Sequence, residues 1–214
     1  VRCATNGIYP KQDTALLQIR AQVVNDGSTA ENVGVLHKIY DRDGKLVSTS
    51  GIALYLEPGE SSDCMVRPTV EAPHLWTDED PYLYTCTAAL VYRNETVDEI
   101  SCRFGIRSFA VDPEKGFFLN GKPMMLRGVS RHQDRLYKGN ALTRQEHYED
   151  AALIHELGAN TVRLAHYQHS RDFYDACDEY GFIVWAEIPY ISSQSDDPKA
   201  HENCRTQMQE LVYQ

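Results

Sequence analysis

The sequence predicts a multidomain chain with two unlike parts, an all-β sandwich over residues 1–110 and a parallel α/β assembly over residues 111–214. Three observations lead there. Up to about residue 110 apolar residues alternate with period two between turn signals, beyond it short apolar runs alternate with capped helical patterns, and no internal repeat or low-complexity segment offers another division.

In the first part Leu17, Ile19, Ala21 and Val23 share one face of a strand that stops at Asn25-Asp26-Gly27. Asp43-Gly44 and Pro58-Gly59 punctuate the next strands. Tyr82, Tyr84, Cys86, Ala88, Leu90 and Tyr92 line one face of a long strand, and Asn94-Glu95 turns it into a partner carrying Ile100, Cys102, Phe104 and Ile106. About seven strands fit, as in a β-sandwich, and no helical period competes.

In the second part Asn120-Gly121 predicts a tight hairpin between Phe117-Leu119 and Met124-Leu126. Thr143 and Glu146 have capping-box spacing ahead of a helix whose Tyr148, Ala151, Ala152 and Leu157 share a stripe, and Gly158 stops it. Asn160 to Ala165 reads as a strand. A second helix runs from about Ser170 to Tyr180 and ends at Gly181, followed by the β-rich run Phe182-Ile183-Val184-Trp185. Asp197-Pro198 is the N-cap and first-turn pair of a third helix. These make three strand–helix units, whereas a closed barrel of such units needs eight and about 250 residues. The barrel is therefore expected to be incomplete.

Composition narrows the function classes. A hydrophobic fraction of 42% with 24% charged residues is globular. The formal charge of −10 disfavours nucleic acid and anionic membrane, both of which need a basic surface. No run approaches the ~20 apolar residues of a membrane span, and Val1-Arg2-Cys3-Ala4 reads as a start inside a longer polypeptide. The six cysteines contain no C-x-x-C pair; buried thiols are expected, with a bridge among Cys64, Cys86 and Cys102 left open.

Chemistry-bearing side chains concentrate in Arg127 to Arg135, read as the loop after the first barrel-like strand, and in Arg163 to Ser170 after the next. Loops at the C-terminal ends of parallel strands converge on one face, so His132, Asp134, Arg163 and His166 are expected to share a pocket, joined by Glu187 after the third strand. Such mixed donors and acceptors suit a hydroxyl-rich ligand, since each buried hydroxyl left unpaired costs roughly 1–3 kcal/mol. Trp185 is assigned to the core and Tyr167 to either role. His132, His166, His169 and Glu187 show no H-x-x-x-H or H-E-x-x-H spacing, and neither a metal nor another cofactor is expected.

Two runs carry a family resemblance. Phe118-Leu119-Asn120-Gly121-Lys122-Pro123 with Arg127 to Asp134, and Gly158 to Tyr167 with Cys177-Asp178-Glu179-Tyr180-Gly181, resemble the start of the catalytic barrel of family 2 glycoside hydrolases. Leu75 to Tyr84 with Phe104-Gly105-Ile106-Arg107 resembles the end of the immunoglobulin-like domain that precedes it. The Arg131-His132 and His166-Tyr167 pairs are more similar to β-galactosidases than to β-mannosidases or β-glucuronidases. The resemblance implies an immunoglobulin-like sandwich followed by the first three βα units of a TIM barrel, and a β-galactoside or related β-hexoside as ligand. It further implies that His132 and His166 bind glycone hydroxyls while Arg163 orients the nucleophile's carboxylate. Glu187 matches a family carboxylate. Where magnesium-bearing members have Glu and His, this sequence has Ile191 and Ser193, so magnesium is not expected. The acid/base of the family follows an Asn after the fourth barrel strand, and the sole Asn-Glu pair here is Asn94-Glu95 in the sandwich. No catalytic carboxylate is therefore assigned, and the chain is expected to be inert, with self-association through its open barrel face. The competing reading is a non-catalytic carbohydrate-binding or spacer module with an exposed aromatic platform, for which Trp76 and Tyr82 are the candidates. A small α/β enzyme of another class lacks its G-x-S-x-G, G-x-G-x-x-G or Walker motif.

Overall fold

The computed structural model describes residues 1–190 and 195–213, arranged as two compact units, Val1–Met124 and Met125–Gln214. The first opens with eight antiparallel strands: β1 (Arg2–Tyr9), β2 (Thr14–Val24), β3 (Glu31–Tyr40), β4 (Leu46–Leu56), β5 (Ser61–Val66), β6 (Thr69–Glu71), β7 (Tyr84–Tyr92) and β8 (Glu95–Phe104). One sheet has the order β1-β2-β5, with β6 also on β2, and the other has the order β4-β3-β7-β8. Strict alternation in β2 buries Ala15, Leu17, Ile19, Ala21 and Val23. Ala15, Leu17 and Ile19 meet Ile39, Tyr84, Cys86 and Phe104 of the opposite sheet, and Ala21 and Val23 meet Val35 and Leu56, so the core lies between two faces. The predicted face of β7 is interrupted where the register slips between Leu90 and Val91, and Ile100 is exposed. All six cysteines are thiols.

Trp76 is fully buried under Gly105, where a Cβ would stand 2.8 Å from the Trp76 side chain, so only glycine admits the ring. Tyr82 is half-buried, stacked on His74 at 4.1 Å and beneath Arg42 at 4.4 Å. Trp76 is thereby removed as a sugar platform.

Strands β9 (Phe109–Asp112), β10 (Gly116–Leu119) and β11 (Lys122–Pro123) form a small meander that belongs to the first unit. Asn120 and Gly121 take left-handed φ of 51° and 76°, the two-residue turn their types favour. The returning strand is Lys122–Pro123, closer to the turn than the expected Met124–Leu126, because a two-residue turn pairs Leu119 directly with Lys122. The Asn120 side chain accepts from Ser108 N–H and donates to Trp76 C=O, both at 2.9 Å, which ties the meander to the sandwich unit.

In the second unit β12 (Gly128–Arg131), α1 (Arg144–Glu156), β13 (Thr161–Leu164), α2 (Arg171–Tyr180), β14 (Ile183–Ala186) and α3 (Pro198–Tyr213) follow in order, and the strands pair in parallel as β12-β13-β14. Much of the run read as a loop after the first barrel strand is that strand. The capping box of Thr143 and Glu146 is formed, Ser170 caps α2, and Gly181 ends it at φ 78°. The buried stripe of α1 is His147, Ala151 and Ile154, and Leu157 is exposed. The i, i+4, i+7 spacing is as expected but rotated, because a buried histidine takes the place assigned to an apolar residue. Val162, Leu164, Phe173, Ala176, Cys177 and Phe182 complete the core under α1 and α2. Trp185, assigned to the core, is 66% exposed. It stands level with Arg163 on the sheet face away from that core, which a closed barrel would enclose and three strands leave open. Among the described residues no helix is long and apolar enough to cross a membrane.

Candidate active site at the strand ends

The parallel register sets Arg131, Leu164 and Ala186 side by side, so the residues that follow them emerge together from one edge of the sheet. Leu164 points into the helix-covered core, and alternation turns Arg163 to the opposite face. There its Nε donates to Glu187 Oε1 at 2.6 Å and its Nη2 to Oε2 at 3.2 Å, a bidentate pair. His166 Nδ1 lies 3.0 Å from Glu187 Oε2 and 3.1 Å from Arg163 Nη2. One nitrogen cannot donate to the carboxylate and accept from the guanidinium at once. The ionised carboxylate is the stronger partner, so Nδ1 carries a proton directed at Glu187. The Arg163 guanidinium, and after it the His166 contact, holds Glu187 below the usual carboxylate range.

The His132 ring stands edge-on to His166 at 5.3 Å and lies 5.9 Å from Tyr167. Its loop is pinned at the next residue, where Gln133 N–H donates to the Tyr167 hydroxyl at 3.1 Å and the Gln133 side chain accepts from Ser170 N–H at 2.6 Å. A cavity of about 570 Å³ opens beside the group, lined by Arg163, His166, Glu187, Ile188, Tyr190 and Met208 among others. The structure thus gathers His132, Arg163, His166 and Glu187. Asp134, exposed on the His132 loop, makes no hydrogen bond or ion pair among the described residues. Ile191 and Ser193 lie outside those residues.

Behind the cluster is a buried network that sequence reasoning missed. Arg131 donates from Nε and Nη2 to Asp150 Oδ2 at 3.0 and 2.6 Å, and reaches His169 Nδ1 and His147 Nδ1 at 3.1 Å each. Its guanidinium also covers the Phe173 ring at 3.8 Å. Arginine only donates, so both histidines accept at Nδ1 and are neutral, and His169 Nε2–H donates to Ala165 C=O at 3.1 Å. Burial first, opposed by the Ala165 contact and followed by the Arg131 charge, brings His169 down to about 4. Burial and then Arg131 also lower His147. His169 therefore supports the backbone next to His166. The available signal was the Arg131–Asp150 pair of opposite charges, one on a strand and one on a helix, but nothing in spacing alone showed that they meet.

Comparison with known proteins decides the family. Residues 4–107 match the family described as glycosyl hydrolases family 2, and residues 110–211 match the glycosyl hydrolases family 2, TIM barrel domain. The chain belongs to glycosyl hydrolases family 2. Its fold is that family's immunoglobulin-like β domain followed by the start of the TIM barrel domain. Similar members include a β-glucuronidase of Bacteroides fragilis, 34% identical over 99% of this chain and 32% of that protein. A β-galactosidase of Thermoanaerobacterium thermosulfurigenes is 32% identical over 96% of this chain and 29% of its own length. The crystal structure of Bacteroides uniformis β-glucuronidase superposes with a TM-score of 0.92 at 35% identity, covering 98% of this chain and 25% of that one. This family 2 chain thus spans about a quarter to a third of the length of these relatives.

Proposed function

We propose that the chain supplies one side of the sugar pocket of a retaining glycosidase acting on terminal β-galactosides or related β-hexosides. The observation that carries this is the Arg163–Glu187–His166 cluster, with His132 edge-on to it, at the C-terminal edge of parallel strands beside an open cavity. His132 and His166 hydrogen-bond the glycone hydroxyls, and Asp134 reaches the ligand from its loop. Arg163 orients carboxylates, here Glu187. Such contacts aid catalysis in so far as they tighten at the transition state.

Retaining hydrolysis needs two carboxyls about 5–5.5 Å apart, one of them raised in pKa to act as an acid. Glu187 is shifted in the opposite direction, and Asn94 sits in the β7–β8 turn of the sandwich at φ 67°. We therefore infer that the chain alone hydrolyses nothing, and that the cleaving pair belongs to the rest of a longer protein. A β-glucuronide is the second reading, favoured by the 34% identity to the Bacteroides fragilis β-glucuronidase. It requires a cation for the sugar carboxylate, whereas Arg163 is engaged by Glu187. The test is turnover of chromogenic β-galactosides and β-glucuronides by the longer protein and by this chain. The proposal expects the longer protein to prefer the galactoside and the chain to match buffer. Preference for the glucuronide, or saturable turnover by the chain, overturns the corresponding part.

A further inference from the structure

Strands β1 and β8 are edge strands of different sheets. Where these edges meet, Cys3 of β1 and Cys102 of β8 bring their sulfurs to 3.6 Å, although the residues are 99 positions apart. Their backbone partners lie elsewhere, Cys3 opposite Ile19 and Cys102 opposite Cys86. Both thiols are half-buried at the rim of the core, while Cys86 is fully buried within it, its sulfur beside those of Cys3 and Cys102 and 3.7 Å from Thr87 C=O.

We propose that Cys3 and Cys102 form a cross-linking site, oxidising to a disulfide that fastens the edges of the two sheets while Cys86 stays a thiol. Two sulfurs in van der Waals contact must close by roughly 1.5 Å to bond, within reach of side-chain rotation and a small shift of edge strands anchored on one side only. Cys86 sits on β7 between β3 and β8, and its burial shields it from an oxidant. The link would span most of the sandwich, and a cross-link around so long a loop restrains the unfolded chain strongly.

The oxidant is a small disulfide such as oxidised glutathione. The thiolate of one cysteine attacks it, releasing one glutathione thiolate and leaving a mixed disulfide. The second cysteine, as thiolate, attacks that mixed disulfide and releases the second glutathione. Two S–H bonds are lost and one S–S bond forms, the two electrons reduce glutathione disulfide, and the two protons end on the released thiols. The neighbouring sulfurs of Cys102 and Cys86, and then burial, push the Cys3 thiol above its ordinary range, so little thiolate is present at neutral pH and exchange accelerates in base.

The test equilibrates the folded chain with oxidised glutathione at about pH 8, blocks remaining thiols, and maps linked peptides by mass. The expected product is lighter by about 2 Da, joins the Cys3 and Cys102 peptides, and melts on the order of 10 °C higher in the sandwich transition. C86S keeps the link, and C3S or C102S loses it. A link through Cys86, a mixed disulfide that never resolves, or complete blocking of all six thiols after equilibration each overturns the proposal. Mapping the unaltered chain and C86S decides the matter even if C3S or C102S does not fold.

Discussion

Replacing Asp150 with asparagine tests whether the buried Arg131 network holds the second unit together. Asp150 accepts from Arg131 at 3.0 and 2.6 Å and from Arg135 at 2.7 Å, with side-chain exposures of 5% for Arg131 and 22% for Asp150. Asparagine keeps the shape, removes the charge, and can turn an NH₂ toward two guanidinium groups. Breaking one half of a buried pair costs about 3–5 kcal/mol because the remaining charge stays desolvated, and the partial exposure of Asp150 places this case near 3 kcal/mol. For a unit of this size each kcal/mol shifts the midpoint by roughly 4–8 °C, so D150N should lower it by about 12–24 °C. Among the described residues α1, α2 and α3 all belong to this unit and the first unit is built of strands, so the helical circular-dichroism signal reports it selectively. A double variant, R131M/D150L, removes both charges and should recover much of the loss. A D150N midpoint within about 2 °C of the parent would refute the reasoning, since noise in such a melt is of that order.

Acid should weaken the fold through its buried histidines. His37 has no exposed surface and neither ring nitrogen has a hydrogen-bond partner among the described residues, and burial lowers its pKa as it does for His147 and His169. Their folded pKa values lie below the unfolded value near 6.5, so stability is fully present above about pH 6.5 and declines as pH falls toward about 4 for His169, where its loss is complete. Denaturant midpoints should drop through that window and H37L should flatten the sandwich's share; a pH-independent midpoint contradicts the prediction. Gly105→Ala should cost about 1–3 kcal/mol, because its Cβ meets Trp76 at 2.8 Å, and unchanged thermal unfolding followed by tryptophan fluorescence would disprove the contact. The uncovered sheet face bearing Trp185 should drive self-association, reduced by Trp185→Lys; sedimentation of a monomer at all concentrations tells against it.

The chemistry-bearing strand ends were legible because a parallel βα order sends every C-terminal strand end to one edge, and local caps such as Thr143, Ser170 and Gly181 set the boundaries. His132, Arg163, His166 and Glu187 needed only that rule to be named together. Asp134 followed the same rule, yet its loop leaves it exposed without a partner among the described residues. Pattern alone also misplaced the α1 stripe, since a histidine looks polar until Arg131 is found donating to it.

By itself the sequence determined the two-part architecture, the change from period two to capped helices, and which side chains reach the open edge, because these depend on local periodicity and strand direction. Only the tertiary structure decided that Arg163 clasps Glu187, that Arg131 is buried among Asp150, His147 and His169, and that Cys3 meets Cys102 across 99 positions. Those are long-range contacts set by packing and desolvation, which favour pairing a buried charge or thiol with whatever partner the fold brings near. Nothing in the spacing along the chain encodes that partner.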